Sequence, residues 1–221
     1  REFWNGNLVS STIHNLDLRW ETYSRDGRMF SVSAFFKYFK NPIEIVQYAA
    51  QSGTFQPRNV GDGQVTGLEI EFRQNLGFIS HSLQNFSIFS NVSLTDSKIK
   101  LSLTEYISRL ENARTGQEIA KTREMAGQAP WIINSGITWS GSETGFLSEF
   151  EAGLFYNVQG KTLQYIGIPD RPDIYTLPFH ALNFTASKNL GKEKKLQIGI
   201  KMDNLLNDKK ESVFKSFNPT D

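Results

Sequence analysis

About four times along this chain, a long run of alternating apolar and polar residues ends in a tight polar turn and is answered by a second such run. A long polar loop follows each pair. Alternation places successive side chains on opposite faces of a strand, so each run defines one apolar face. The first run carries Leu16, Leu18, Trp20 and Thr22 on one face and turns at Ser24-Arg25-Asp26-Gly27, an Asp-Gly hairpin signal. The second places Phe30, Val32, Ala34, Phe36 and Tyr38 on one face, with Phe35 and Phe39 as exceptions, before Asn41-Pro42 breaks it.

The third run alternates Thr66, Leu68, Ile70 and Phe72 against Gly67, Glu69, Glu71 and Arg73, and turns near Asn75-Leu76-Gly77. The fourth carries Phe86, Ile88, Val92 and Leu94. In the polar stretch after it, Leu101, Leu103, Tyr106, Ile107 and Leu110 have the spacing of a short helix. The fifth run presents Trp131, Ile133, Ile137 and Trp139, turns through Ser140-Gly141-Ser142-Glu143, and is answered by Phe146, Phe150, Ala152, Leu154 and Tyr156. The seventh carries Leu182, Phe184 and Ala186, turns at Asn189-Leu190-Gly191-Lys192, and the eighth carries Leu196, Ile198, Ile200 and Met202. The expectation is roughly eight strands in four hairpins.

Two features favour a membrane barrel over a soluble β-sandwich. The runs reach about 10 residues, whereas soluble strands usually have about 5–6. Short turns fall at one end of the hairpins and long loops at the other, as in outer-membrane barrels. Trp131 and Trp139 share one face about 26 Å apart, or about 20 Å along the normal of a tilted strand, which nearly matches an apolar band between two aromatic girdles. Trp20 and Tyr23 beside a short turn and Tyr38 beside a long loop fit the same girdles.

Composition removes other classes. Lys and Arg number 24 against 23 Asp and Glu, so no cationic excess is present to neutralise a nucleic-acid backbone. The chain has no cysteine, which excludes thiolate metal sites, catalytic thiols and disulfides. No window reaches the ~18 apolar residues of a membrane helix. Residues Arg1 to Gly6 do not read as a signal peptide, and the chain reads as if it begins inside a longer protein.

Four segments then point to one family. They are Ala34-Phe35-Phe36-Lys37-Tyr38-Phe39-Lys40-Asn41-Pro42-Ile43-Glu44, the stretch Asn59-Val60-Gly61-Asp62-Gly63-Gln64-Val65-Thr66-Gly67-Leu68-Glu69-Ile70-Glu71, Gly127-Gln128-Ala129-Pro130-Trp131-Ile132-Ile133-Asn134-Ser135-Gly136, and Asn204-Leu205-Leu206-Asn207. In this order and spacing they resemble the carboxy-terminal half of TonB-dependent outer-membrane receptor barrels. The resemblance implies an all-β, antiparallel transmembrane barrel of about 22 strands around an amino-terminal plug, in the bacterial outer membrane. It also implies TonB-coupled import of a scarce nutrient, of iron-chelate, glycan or peptide class. On this reading residues 1–221 form part of the barrel, and the plug and final strands are absent. About eight strands cannot close a wide barrel without unpaired edges in lipid, which again implies a part of a larger protein. The partners implied are membrane lipid, the protein's own plug and the TonB complex, and a surface lipoprotein is a further candidate; no cofactor is implied.

Little in the chain suggests catalysis, and it reads as a non-enzyme. His14, His81 and His180 lack metal-ligand spacing, and Gly61-Asp62-Gly63 with Gly67 misses the dinucleotide-loop pattern, a left-handed loop being the expected reason for those glycines. Glu69 with Glu71, and Glu149 with Glu151, are expected on the wet face opposite the apolar one. The expected loops are 41–62, 97–128, 157–173 and the segment after Leu205. Arg58, Arg109, Arg114, Arg123 and Arg171 lie in or beside them and are candidates to grip an anionic ligand bidentately. A soluble all-β binding or carbohydrate-active domain, and an outer-membrane barrel without transport, are the competing readings.

Overall fold

The structure, a computed structural model, describes residues 7–24, 27–47, 55–113, 115–142, 144–167, 172–191 and 195–215. In chain order its strands are β1 (Thr12–Tyr23), β2 (Met29–Lys40), β3 (Ile43–Gln47), β4 (Phe55–Asn59), β5 (Gly63–Asn75) and β6 (Phe86–Lys100). After the helix α1 (Leu103–Glu111) come β7 (Thr122–Arg123), β8 (Trp131–Ser140), β9 (Phe150–Gln159), β10 (Thr162–Gly167), β11 (Asp173–Thr176), β12 (Ala181–Leu190), β13 (Leu196–Met202) and β14 (Ser212–Lys215).

The expected runs become one antiparallel wall in the order β1-β2-β5-β6-β8-β9-β12-β13. Its register keeps the apolar faces together. Trp20, Val32, Ile70, Val92 and Ile133 stand side by side on consecutive strands, as do Ile88, Ile137, Leu154, Phe184 and Met202 further along. A slip of one residue in any pairing would turn a whole strand's apolar set to the other face, so the sequence pattern itself fixes this register. Among the described residues no second sheet covers the apolar face, where Leu18 is 75% exposed and Ile198 57%. Trp131 and Trp139 both stand on it, beside Leu94 and Phe86 respectively. The strands β1 and β13 bound the wall and are exposed along their length.

The opposite face is polar, with Ser33, Glu69, Glu71, Ser93 and Asn134 among its residues. Arg19 bonds there to Glu21 at 2.8 Å and to Glu71 at 3.2 Å. Phe35 interrupts the alternation because it lies over Gly67, its partner on β5, and Phe89 lies over Gly136 in the same way. An aromatic ring over a bare glycine backbone restores apolar contact that the missing side chain leaves open.

The glycines of the third run serve close approach. Gly61, Gly63 and Gly67 do not have positive φ, contrary to the left-handed loop expected for them. A Cβ on Gly67 would lie 2.6 Å from the Leu94 carbonyl oxygen and closer still to the Phe35 ring, and one on Gly61 would press on the Lys100 carbonyl. Gly67→Ala is expected to destabilise the wall by about 1–3 kcal/mol through overpacking. Denaturant unfolding of the folded protein checks this, and an unchanged midpoint would count against so tight a contact.

Three details of the short-turn end differ from expectation. Phe146 lies outside the strand, since the connection runs over residues 141–149 before β9 begins. Glu149 sits in that connection with φ +58°, so it does not share a strand face with Glu151. Residues 76–85 form two short 3₁₀ turns instead of a minimal hairpin, held by Asn75, whose amide nitrogen donates to the carbonyl oxygens of Gln84 and Phe86. The centre of the Ser24–Gly27 turn lies outside the described residues, but Ser24 N–H donates to Arg28 O at 2.9 Å and Gly27 N–H to Ser24 O, which closes the hairpin.

Candidate functional site: the interlocked cap

At the long-loop end the connections fold. The hairpin β3–β4 from the first loop, β10 and β11 from the third, and β14 after the last wall strand make a second sheet in the order β14-β11-β10-β3-β4. The joint between loops is the parallel pair β10–β3, where Ile166 meets Val46. Parallel pairing of strands so far apart in sequence carries a large closure cost, so side-chain burial must hold it.

That burial is the described chain's hydrophobic core. Val46, Val60, Val65, Ile99, Met125, Leu163, Ile166 and Tyr175 pack together, with Phe35, Phe39 and Ala126 against them. Val65 and Ile99 share the polar face of the wall with Glu69 and Ser93, so the cap packs on that face and not on the apolar one. Phe39, the second exception to alternation, faces this core.

Beneath the core's polar side runs a buried ion network. Arg123 reaches Glu44 at 2.6 Å and Glu105 at 2.7 Å, and Arg109 reaches Glu105 at 3.0 Å and Asp173 at 3.1 Å. These side chains are 0–10% exposed. Glu44 belongs to the first loop, Glu105, Arg109 and Arg123 to the second, and Asp173 to the third. Backbone donors complete it, with Ala126 N–H bonded to Glu44 at 2.7 Å and Gly167 N–H to Asp173 at 3.0 Å. The two flanking carboxylates push the Arg123 guanidinium above its ordinary range despite burial. Burial holds the Asp173 carboxyl above the usual carboxylate range, against the pull of Arg109 and the Gly167 N–H.

The helix expected in the second loop is α1, started by Ser102, whose hydroxyl accepts the Glu105 N–H at 3.2 Å. Its orientation is inverted relative to an ordinary surface helix. Glu105, Ser108 and Arg109 are buried in the network, while Leu103, Ile107 and Leu110 are exposed.

The candidate arginines therefore separate. Arg123, with Arg109, is buried and aims its donors at carboxylates of other cap segments. Arg58 lies on β4 with a guanidinium nitrogen 3.3 Å from the Gln56 side-chain oxygen. Arg114 and Arg171 lie outside the described residues. The sequence reading missed Glu44, Glu105 and Asp173, whose only signal is that acids accompany the arginines in the same loops.

Two further polar clusters tie loops to the wall. Asp62 accepts the Asn41 N–H at 3.1 Å and the Tyr38 hydroxyl at 2.9 Å, and these bonds hold its carboxyl below the ordinary range. Asn204 bonds its amide nitrogen to Asp208 O and accepts the Asp208 N–H, which closes a small ring around Asn204-Leu205-Leu206-Asn207. His180 N–H and Lys209 N–H both donate to Asp208 and hold its carboxyl down as well. Among the described residues no group of three or more His, Cys, Asp or Glu side chains is placed to hold a metal ion.

A one-sided apolar wall of long antiparallel strands, with short turns at one end and a folded cap on the polar face at the other, defines a transmembrane β-barrel wall. The chain belongs to the TonB-dependent receptor-like β-barrel family, whose model matches residues 2–205. That family is one of outer-membrane transporters and receptors. No curated protein and no solved structure matches the chain.

Proposed function

We propose that this protein sits in the bacterial outer membrane and imports a scarce nutrient through its barrel, with energy from the TonB complex. The observation that carries the reading is the placement of the cap. Loops from separate hairpins form one sheet on the polar face, where a lumen would be, and leave the apolar face bare. The eight wall strands are then part of a barrel of about 22, closed by further strands beyond β1 and β13 and filled by a plug. Lipid covers the apolar face, and a surface lipoprotein is a candidate partner at the cap. The imported solute belongs to the iron-chelate, glycan or peptide class, and Arg58, Arg114 and Arg171 are the loop arginines that stay candidates to touch it.

The test is uptake by intact cells. Labelled iron chelates, oligosaccharides and peptides would be supplied to wild-type cells, to cells lacking this protein and to cells lacking TonB. Loss of one solute's uptake in both mutants, with the protein in the detergent-extracted outer membrane, is the expected result. A mature protein that is soluble without detergent, with uptake unchanged, would favour the soluble all-β reading.

A further inference from the structure

Two lysines of the cap share one aromatic ring. Lys161 lies between β9 and β10, where Gly160 N–H donates to Trp131 O at 2.8 Å and the Thr162 hydroxyl donates to Gly160 O at 2.9 Å. Lys215 ends β14, opposite Asp173 on β11. Between them stands Tyr175, paired with Leu163 on one side and Val213 on the other. The Lys161 ammonium is 4.5 Å from the Tyr175 ring centroid and that of Lys215 is 5.8 Å from it.

We propose that Lys161 and Lys215, held over the Tyr175 ring at the edge of the cap sheet, bind the anionic oxygens of a carboxylate- or phosphate-bearing solute. Two ammonium groups so close repel each other, and neither forms an ion pair among the described residues. Burial and Lys215 hold Lys161 below the ordinary lysine range, and only Glu124, beside the Tyr175 hydroxyl, pulls the other way. An anion with two or more oxygens would relieve that repulsion and take a charge-assisted hydrogen bond from each lysine. The ring attracts both ammonium groups to the same place, which lowers the cost of bringing them together on one anion. The turn at Gly160 and the β11–β14 ladder hold the backbones of the two lysines on either side of Tyr175.

This site deepens the importer reading and rests on it for its role in capture. The experiment uses the full-length protein in detergent at low ionic strength, with citrate and inorganic phosphate titrated separately by calorimetry. One saturable site is expected, and the tighter anion identifies the source of the oxygens. Lys161→Gln with Lys215→Gln should weaken it roughly tenfold or more, the scale of lost charge-assisted hydrogen bonds. Lys161→Arg with Lys215→Arg should stay within about threefold, since both charges are kept. Saturable binding of neither anion, or equal affinity in the wild type and the double Gln variant, overturns the proposal. Membrane fractionation of the same protein keeps the two readings apart. Failure of binding in a protein that still partitions into the outer membrane removes the lysine site alone, whereas failure to partition removes the importer reading.

Discussion

Arg123→Ala is expected to cost the cap about 3–5 kcal/mol, the scale for removing one partner of a buried ion pair. The reason is what remains. Glu44 and Glu105 would lose the guanidinium that both touch, and they are almost fully buried, at 3% and 0% side-chain exposure. Neither can recover its solvation without opening the cap. Glu105 would keep Arg109, and Glu44 would keep the Ala126 N–H. Hydrogen exchange reads the effect where it should appear, at the Val46 and Ile166 amides of the parallel β3–β10 pair, while amides of β6 and β8 in the wall should keep their protection. A second variant separates lost charge balance from lost packing. Arg123→Met with Glu44→Gln and Glu105→Gln removes the guanidinium together with both carboxylates it touches, leaves Arg109 paired with Asp173, and should recover much of the protection, because no carboxylate is then left buried without its partner. Unchanged exchange in Arg123→Ala would show that the loops are joined by the hydrophobic core alone.

The wall was legible in the sequence and the cap was not, and the difference is physical. Wall strands obey a local rule, since each residue's face follows from its neighbours two positions away. That is why Leu68, Ile70 and Phe72 could be assigned to one face before any pairing was known. Even the two exceptions carried information, because Phe35 and Phe39 break alternation where β2 meets a bare glycine and then the cap core. The cap depends on contacts across long separations. Nothing near Val46 announces Ile166, and nothing near Arg123 announces Glu44. Its strands are only four to six residues long, too short to show a clear alternation, and Pro57 within β4 argues against a strand by local rules. The spacing in α1 gave the helix but not its buried side, because periodicity locates an apolar stripe without saying which side the protein covers. For the candidate site, residue type alone marked Arg58, Arg109 and Arg123 as alike. Only the fold distinguishes an arginine enclosed by acids from one half-buried beside Gln56, and only the fold brings Lys161 to Lys215.

Ile70→Arg tests the membrane reading itself, because the expected cost is small in water and large in lipid. Ile70 is 41% exposed and Leu68 47%, with no second sheet across that face among the described residues. In a soluble domain, substitution at such exposed positions should change stability by no more than about 0.5 kcal/mol. In a bilayer the same arginine faces hydrocarbon and should cost about 2–4 kcal/mol at the midplane, falling to about 0–1 near the interfaces. Ile70 lies in the row with Val32 and Val92, well inside the strands, and is the position expected near the maximum. An arginine scan of Thr66, Leu68, Ile70 and Phe72 along β5 should therefore give a cost that rises and falls with depth, measured by reversible unfolding in lipid vesicles. Ser93→Arg, on the polar face opposite Glu69, should be tolerated and serves as the control. A profile that followed exposure instead of depth, with Leu68 and Ile70 nearly free, would mean that water and not lipid covers this wall.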